Sequence, residues 1–311
     1  MHLADHLMGM FIPYFTSVLV FPLLDARHLE TSLDVVRLFF QPLRITLDVV
    51  QCDKPVSFIP APTKLPSLQT PVLITLLQHK LTIFVIHANH ACADGTLIYN
   101  LLHVWSKAYR GSYTIPKLAS KINFVGNYPL SQTLVSRFKV THPFSDYIIS
   151  TTIWSHFISL KTNIRTFGHT VSFRDVDDAY TQGNFIRIVS VELGETIRAS
   201  CELLKNAIQS ERGNVNKTTA AFSAIKSYVK CQVIYTSWLK YKFLNFGTSC
   251  NGFYSTGFEK RKMIASNRIN VVCMHDTSYY LSHSIDGCDN ASFREYVKQI
   301  RRKERMDSPT P

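Results

Sequence analysis

The chain has 311 residues, 46% of them hydrophobic and 18% charged. This excludes a disordered or collagen-like chain and is length enough for one large or two ordinary domains. The formal charge of +12 would suit a nucleic acid, an anionic membrane surface or a phosphorylated small molecule. The basic residues are nevertheless scattered, apart from Lys260-Arg261-Lys262 and Arg301-Arg302-Lys303 with Arg305. No helix-turn-helix, zinc-finger spacing or aromatic RNA-binding pattern accompanies them, so no nucleic-acid partner is expected. The seven cysteines form no C-x-x-C pair and are odd in number. That argues against a disulfide framework and a paired-cysteine zinc site, and it fits a reducing, cytoplasmic compartment.

In chain order, Leu7 to Leu24 is apolar but holds Pro13 and Pro22, and no basic stretch precedes it. A strand entering a buried sheet, here Thr16 to Phe21, suits it better than a signal peptide or membrane anchor. Ser32 to Phe40 has helical spacing, with Thr31 or Ser32 as cap and Pro42 as stop. Pro55 to Pro71 is a proline-rich loop. Pro71 to Leu77 and Leu81 to Ala88 read as a hairpin turning at Gln78-His79-Lys80, the second strand central because it is almost continuously apolar. His90 to Gly95 is then a loop, and Thr96 to Tyr109 a helix. Ser112 to Gln182 shows no sustained period and reads as a crossover. Beyond it come a strand at Phe185 to Leu193, helices at Gly194 to Ile208 and Thr218 to Lys230, and a strand-like run from Ser237 to Phe246 ending in Gly247. Short strands at Asn270 to Cys273 and Tyr279 to Leu281 follow, then a last helix from Ser292 to Arg302 capped by Ser292. Helices and strands alternate throughout, so the class is α/β or α+β.

The sharpest local feature is His87-x-x-His90-x-x-x-Asp94-Gly95 directly after a buried strand. Three chemistries fit these residue types. A neutral His90 can act as general base, with Asp94 holding the loop in shape and Gly95 permitting a turn. His87, His90 and Asp94 can instead ligate a metal in a hydrolase. All three can also be satisfied polar groups at a strand end. Spacing alone leaves these readings open. Cys92 has no activating partner besides His90, and His103, Trp105 and Trp238 read as packing residues.

The run His90-Ala91-Cys92-Ala93-Asp94-Gly95 resembles the His-x-x-x-Asp-Gly motif of the BAHD acyltransferases and of the wider chloramphenicol acetyltransferase-like superfamily, which includes condensation domains. Thr70-Pro71-Val72-Leu73-Ile74 and the helix carrying Trp105 resemble its flanks. Downstream, Thr236-Ser237-Trp238 with Asn245-Phe246-Gly247-Thr248-Ser249 is similar to the fungal Ser-Trp and Asp-Phe-Gly-Trp-Gly motifs. Asn216 to Phe222 and Phe293-Arg294-Glu295-Tyr296 resemble later helices, and the whole looks most like the trichothecene O-acetyltransferase branch. The resemblance implies two mixed-sheet domains, 1–125 and 184–311, joined by a crossover at 126–183. It further implies an acyl-CoA-dependent O-acyltransferase, acetyl-CoA as co-substrate, a hydroxylated small-molecule acceptor and a monomer. No permanently bound cofactor or metal is implied, and His90 is the base, supported by Asp94 and Gly95. Thr248 and Ser249 would donate hydrogen bonds near the co-substrate. Departures from the family pattern are Asn89 where a second His is usual, Asn245 for Asp, and Thr248 and Ser249 for Trp and Gly. Only 155 positions separate His90 from Asn245, fewer than the family shows. That leaves room for an incomplete fold and for a truncated or non-catalytic paralogue.

Overall fold

A computed structural model of the chain describes residues 14–40, 43–53, 66–111, 131–136, 143–172, 185–213, 227, 230–239, 241, 244–250, 252–255, 268–275, 278–283, 285 and 288–307. The proline-rich stretch from 55 to 65 and the greater part of the expected helix at Thr218 to Lys230 lie outside these residues.

The first half is built on β1 (Tyr14–Pro22), β2 (Ile45–Gln51), β3 (Val72–Gln78) and β4 (Leu81–Asn89), with helices α1 (Ala26–Phe39) and α2 (Gly95–Arg110). The hairpin is as the turn signal demands: β3 and β4 pair antiparallel from Gln78↔Thr82 to Val72↔Ala88. β4 is interior, with β1 on its other side, which explains its unbroken apolar run. All nine residues of β1 are buried. Helix α1 starts six residues before the expected Ser32. Asp25 is its cap, its Oδ1 accepting from the His28 amide at 2.9 Å, and Leu29, Leu33, Val36 and Phe40 form the buried stripe. Helices α1 and α2 cover one face of the sheet and lock through the Trp105 indole, whose Nε1 donates to Leu29 O and Ser32 Oγ.

The second half carries β5 (Ser131–Ser136), α3 (Pro143–Thr162), β6 (Thr166–Ser172), β7 (Ile186–Glu192), α4 (Ile197–Gly213), β8 (Val233–Ser237), β9 (Gly252–Ser255), β10 (Arg268–His275), β11 (Ser278–His283) and α5 (Asn290–Asp307). The stretch read as a featureless crossover therefore contains a 20-residue helix and two strands. Helix α3 shows no period because polar and apolar residues are mixed on both its sides, with Ser150, Thr151, Thr152 and Ser155 buried. Tyr147, Ile148, Trp154, Phe157 and Ile158 are buried, while Ile149 and Leu160 stay exposed on the outer side, which flattens the amphipathic signal. The final helix begins before the expected Ser292. Asp289, not Ser292, takes the capping role, accepting from the Ser292 amide at 2.8 Å.

One mixed sheet runs through the described strands in the order β2-β3-β4-β1-β9-β10-β8-β6-β7, with β11 on β10 and β5 on β11. β9, from the second half, pairs antiparallel with β1, so the halves are joined by main-chain hydrogen bonds. Two helix-covered cores result, one under α1 and α2 and one among α3, α4, α5 and β6 to β8.

The second core buries a polar pair. His169 Nδ1 lies 3.1 Å from the Tyr147 hydroxyl, and burial holds His169 at about 3. Burial also lowers His87, on β4, to about 4. An unfolded chain binds protons at these histidines below about pH 6.5 while the folded one does not, so folding is favoured above that pH and stability falls as pH drops. The unfolding free energy is expected to decline between pH 6.5 and 4 with a slope of up to about 1.4 kcal/mol per pH unit for each histidine. Denaturant melts at stepped pH check this; a flat profile over that window would contradict the two burials.

Candidate functional site

The end of β4 becomes a loop through Asn89. Its backbone carbonyl accepts from the amides of Cys92 and Ala93, both at 3.0 Å, and its Oδ1 accepts from Ala91 N at 2.9 Å. An Asn side chain that mimics a turn in this way curls the chain within four residues. Asn89, a departure from the motif by sequence, is thus the residue that shapes the loop. Asp94 ends it. Its Oδ1 accepts from Leu97 N at 2.7 Å as the cap of α2, and its Oδ2 accepts from Phe185 N at 2.9 Å, at the threshold of β7 in the second half. The fully buried carboxylate therefore ties the loop to both its own helix and the opposite half.

Gly95 plays a different part from the one its type suggested. It is the first residue of α2, and among the described glycines only Gly247 has a positive φ, at 84°. What crowds position 95 is the Trp238 ring: a Cβ there would stand 3.2 Å from it, so the indole would have to give by a few tenths of an ångström. Alanine at 95 gains helix propensity but crowds the indole, and overpacking costs about 1–3 kcal/mol. Gly95→Ala is expected to lose stability, and Trp238→Phe in the same chain to restore part of it. A double-mutant cycle reads the coupling; strictly additive effects would contradict the close approach.

His90 is 6% exposed and meets Phe15 edge-on, ring centroids 5.0 Å apart. Phe15 in turn packs edge-on against Trp238 at 5.5 Å. Tyr241 closes the circuit: its hydroxyl donates to the Gly95 carbonyl at 2.8 Å, and its ring lies 4.9 Å from that of Trp238. Burial first, and the Asp94 charge second, hold the Tyr241 phenol far above its usual value, so it stays a donor. The stretch from Ser237 to Phe246 is accordingly not a strand beyond Ser237. Trp238 to Tyr241 and Tyr241 to Leu244 make tight turns, with amides bonded three residues back, because their aromatic side chains are drawn into the first core.

His87 points elsewhere. Its Nδ1 lies 2.8 Å from Thr16 Oγ1 inside the sheet, so it is not brought to the loop. With His87 committed to Thr16 and both Asp94 oxygens accepting amide protons, the metal-hydrolase reading of His87, His90 and Asp94 loses its donor set. No group of three or more His, Cys, Asp or Glu among the described residues could hold a metal. Cys92 is 1% exposed within the first core and packs there. Thr248 and Ser249 sit in the turn after Phe246. Thr248 O accepts from Phe246 N, and Ser249 bridges to Asn245. Phe246 itself is completely buried in the first core, ringed by Phe21, Phe84, Trp105 and Tyr109. Sequence reasoning missed Asn89, Phe185 and Tyr241. Phe185 meets Asp94 through its backbone N–H, which no side-chain pattern can announce.

No protein-family model matches the chain, and no curated protein does. Solved structures do. TRI101 of F. sporotrichioides, complexed with coenzyme A and T-2, superposes with a TM-score of 0.60 at 13% identity, over 93% of this chain and 96% of that one. Vinorine synthase gives 0.58 at 14% identity, over 87% and 86%. Polyketide synthase associated protein 5 from Mycobacterium tuberculosis gives 0.65 at 9% identity, over 96% and 95%. The chain has the mixed-sheet, two-domain fold of chloramphenicol acetyltransferase-like proteins.

Proposed function

We propose that the protein is an acyl-CoA-dependent O-acyltransferase with His90 as general base, acetyl-CoA as co-substrate and a hydroxylated small molecule of secondary metabolism as acceptor. One observation carries this reading: Asp94 caps α2 and accepts from Phe185 N of the opposite half, which holds His90 where the two halves meet. The structural neighbours add support, since TRI101 was solved with coenzyme A and T-2 and a starter condensation domain with C8-CoA. The domain division at 1–125 and 184–311, the monomeric state and a cytoplasmic setting belong to the same proposal, as do Thr248 and Ser249 as donors to the co-substrate. Among the described residues no helix is long and apolar enough to cross a membrane.

In this mechanism the neutral imidazole of His90 takes the proton of the acceptor hydroxyl as its oxygen attacks the thioester carbonyl. The tetrahedral oxyanion collapses, the C–S bond breaks, and the imidazolium returns the proton to the departing thiolate. Asp94 does not touch the substrate; it keeps the loop in register. The net charge of +12 favours a ligand carrying phosphates. Calorimetric titration with acetyl-CoA, followed by mass spectrometry of hydroxylated terpenoid and polyketide acceptors, tests the proposal. Binding with a one-acetyl mass gain on an acceptor is the expected result. A folded protein that binds no acetyl-CoA sinks it in favour of a non-catalytic relative.

A further inference from the structure

We infer that Tyr241 is a positioning residue for His90, acting from the second half of the chain through Gly95 and Trp238. This rests on the proposed role of His90 as base. Tyr241 lies 146 residues from Gly95, yet its hydroxyl donates to the Gly95 carbonyl at 2.8 Å. That carbonyl is in the first turn of α2, next to the Asp94 cap, so the bond fixes where the loop ends and the helix begins. The ring of Tyr241 is 2% exposed. It leans on Trp238 on one side and on Tyr99 of α2 on the other, at 4.9 and 5.6 Å between centroids. Trp238 then fills the space over Gly95 and meets Phe15, the ring that faces His90 edge-on. The hydroxyl and the indole therefore constrain the two ends of the six-residue motif, one through the backbone at Gly95 and one through Phe15 at His90.

The bond also complements the Asp94 latch. Asp94 reaches to the second half at Phe185, and Tyr241 reaches back to the first half at Gly95. Both bonds run from a donor of the second half to an acceptor of the first, one on the Asp94 side chain and one on the adjacent Gly95 carbonyl, so the motif is held at two neighbouring points. Loss of the Tyr241 hydroxyl leaves the Gly95 carbonyl exposed to no buried donor from the other half, while the aromatic packing remains. The loop then keeps only the Asp94–Phe185 bond and the aromatic contacts to the second half, and it can shift slightly at its Gly95 end without unfolding.

The test is Tyr241→Phe beside Tyr241→Leu, read in two independent ways. Imidazole-15N spectra of the full chain report the environment of His90 without any turnover. The Phe variant is expected to shift or broaden the His90 signals while those of His169 stay in place, and its melting midpoint to remain within a few degrees of the parent. In acetyl transfer, kcat is expected to fall about tenfold while the KM for acetyl-CoA changes less than twofold. Tyr241→Leu, which also loses the ring, is expected to lower midpoint and kcat together. Unchanged His90 signals in Tyr241→Phe would overturn the inference, as would a drop in midpoint that carries all histidine signals with it, which marks a purely structural role. Absence of thiol release from the parent protein with intact His90 coupling to Tyr241 would instead count against the acyltransferase reading.

Discussion

Replacing Asp94 with alanine is expected to cost the protein both stability and turnover. The side chain is completely buried, and its two oxygens accept from Leu97 N at 2.7 Å and Phe185 N at 2.9 Å. Loss of a helix cap costs about 0.5–2 kcal/mol, and loss of a buried hydrogen bond to a charged acceptor about 1.5–3 kcal/mol. Together they predict a deficit of about 2–5 kcal/mol in denaturant melts, with acetyl transfer down by at least about a hundredfold as His90 loses its register. Asp94→Asn separates the two effects. Its amide oxygen can still cap α2, but its nitrogen then faces the Phe185 N–H, donor against donor. That variant should keep the cap's share of stability and lose the turnover. Parent-like activity in Asp94→Asn would show that the bond across the halves is not needed for catalysis.

The second large effect is expected at Phe246. The sequence around it looked like a decayed motif, with Asn245, Thr248 and Ser249 at the altered places, yet the phenylalanine kept there fills the centre of the first core. Four aromatic rings surround it at centroid distances of 5.2 to 5.7 Å. Truncating a buried phenylalanine costs about 3–5 kcal/mol, against a total of about 5–15 kcal/mol for an ordinary domain. Phe246→Ala should therefore leave a marginal fold, and because the residue belongs to the second half, tryptophan fluorescence and far-UV dichroism should report one shared transition. A loss below about 1 kcal/mol would contradict its place as a core plug.

Much of the fold was legible where the local signal and the tertiary setting agree. The β3–β4 hairpin, the central place of β4 and the buried stripe of α2 follow from alternation, turn residues and helical spacing. Helix α3 was not legible, because a helix that buries Ser150, Thr151, Thr152 and Ser155 while exposing Ile149 and Leu160 loses its period. Nor was the end of β8, since the run from Trp238 to Leu244 looks like a strand and is bent into turns by the core that receives it. In the site, His90, Asp94 and Gly95 stood out by spacing, but the reason for Gly95 was not backbone freedom. It was an indole 143 positions away in the chain, and only tertiary structure brings it close. The metal alternative could be set aside only once His87 was seen bonded to Thr16 and Asp94 to two amides.

We propose His90, held at the junction of the halves, as the base of an acyl transfer. This role is tested most directly by acetyl-CoA-dependent thiol release, with an acceptor, from the parent protein and from His90→Ala side by side. Release from the parent is expected, with a fall of about 100- to 10,000-fold in the variant while acetyl-CoA binding persists. Equal rates in the two proteins, or a parent that binds acetyl-CoA and releases no thiol with any acceptor, would contradict it.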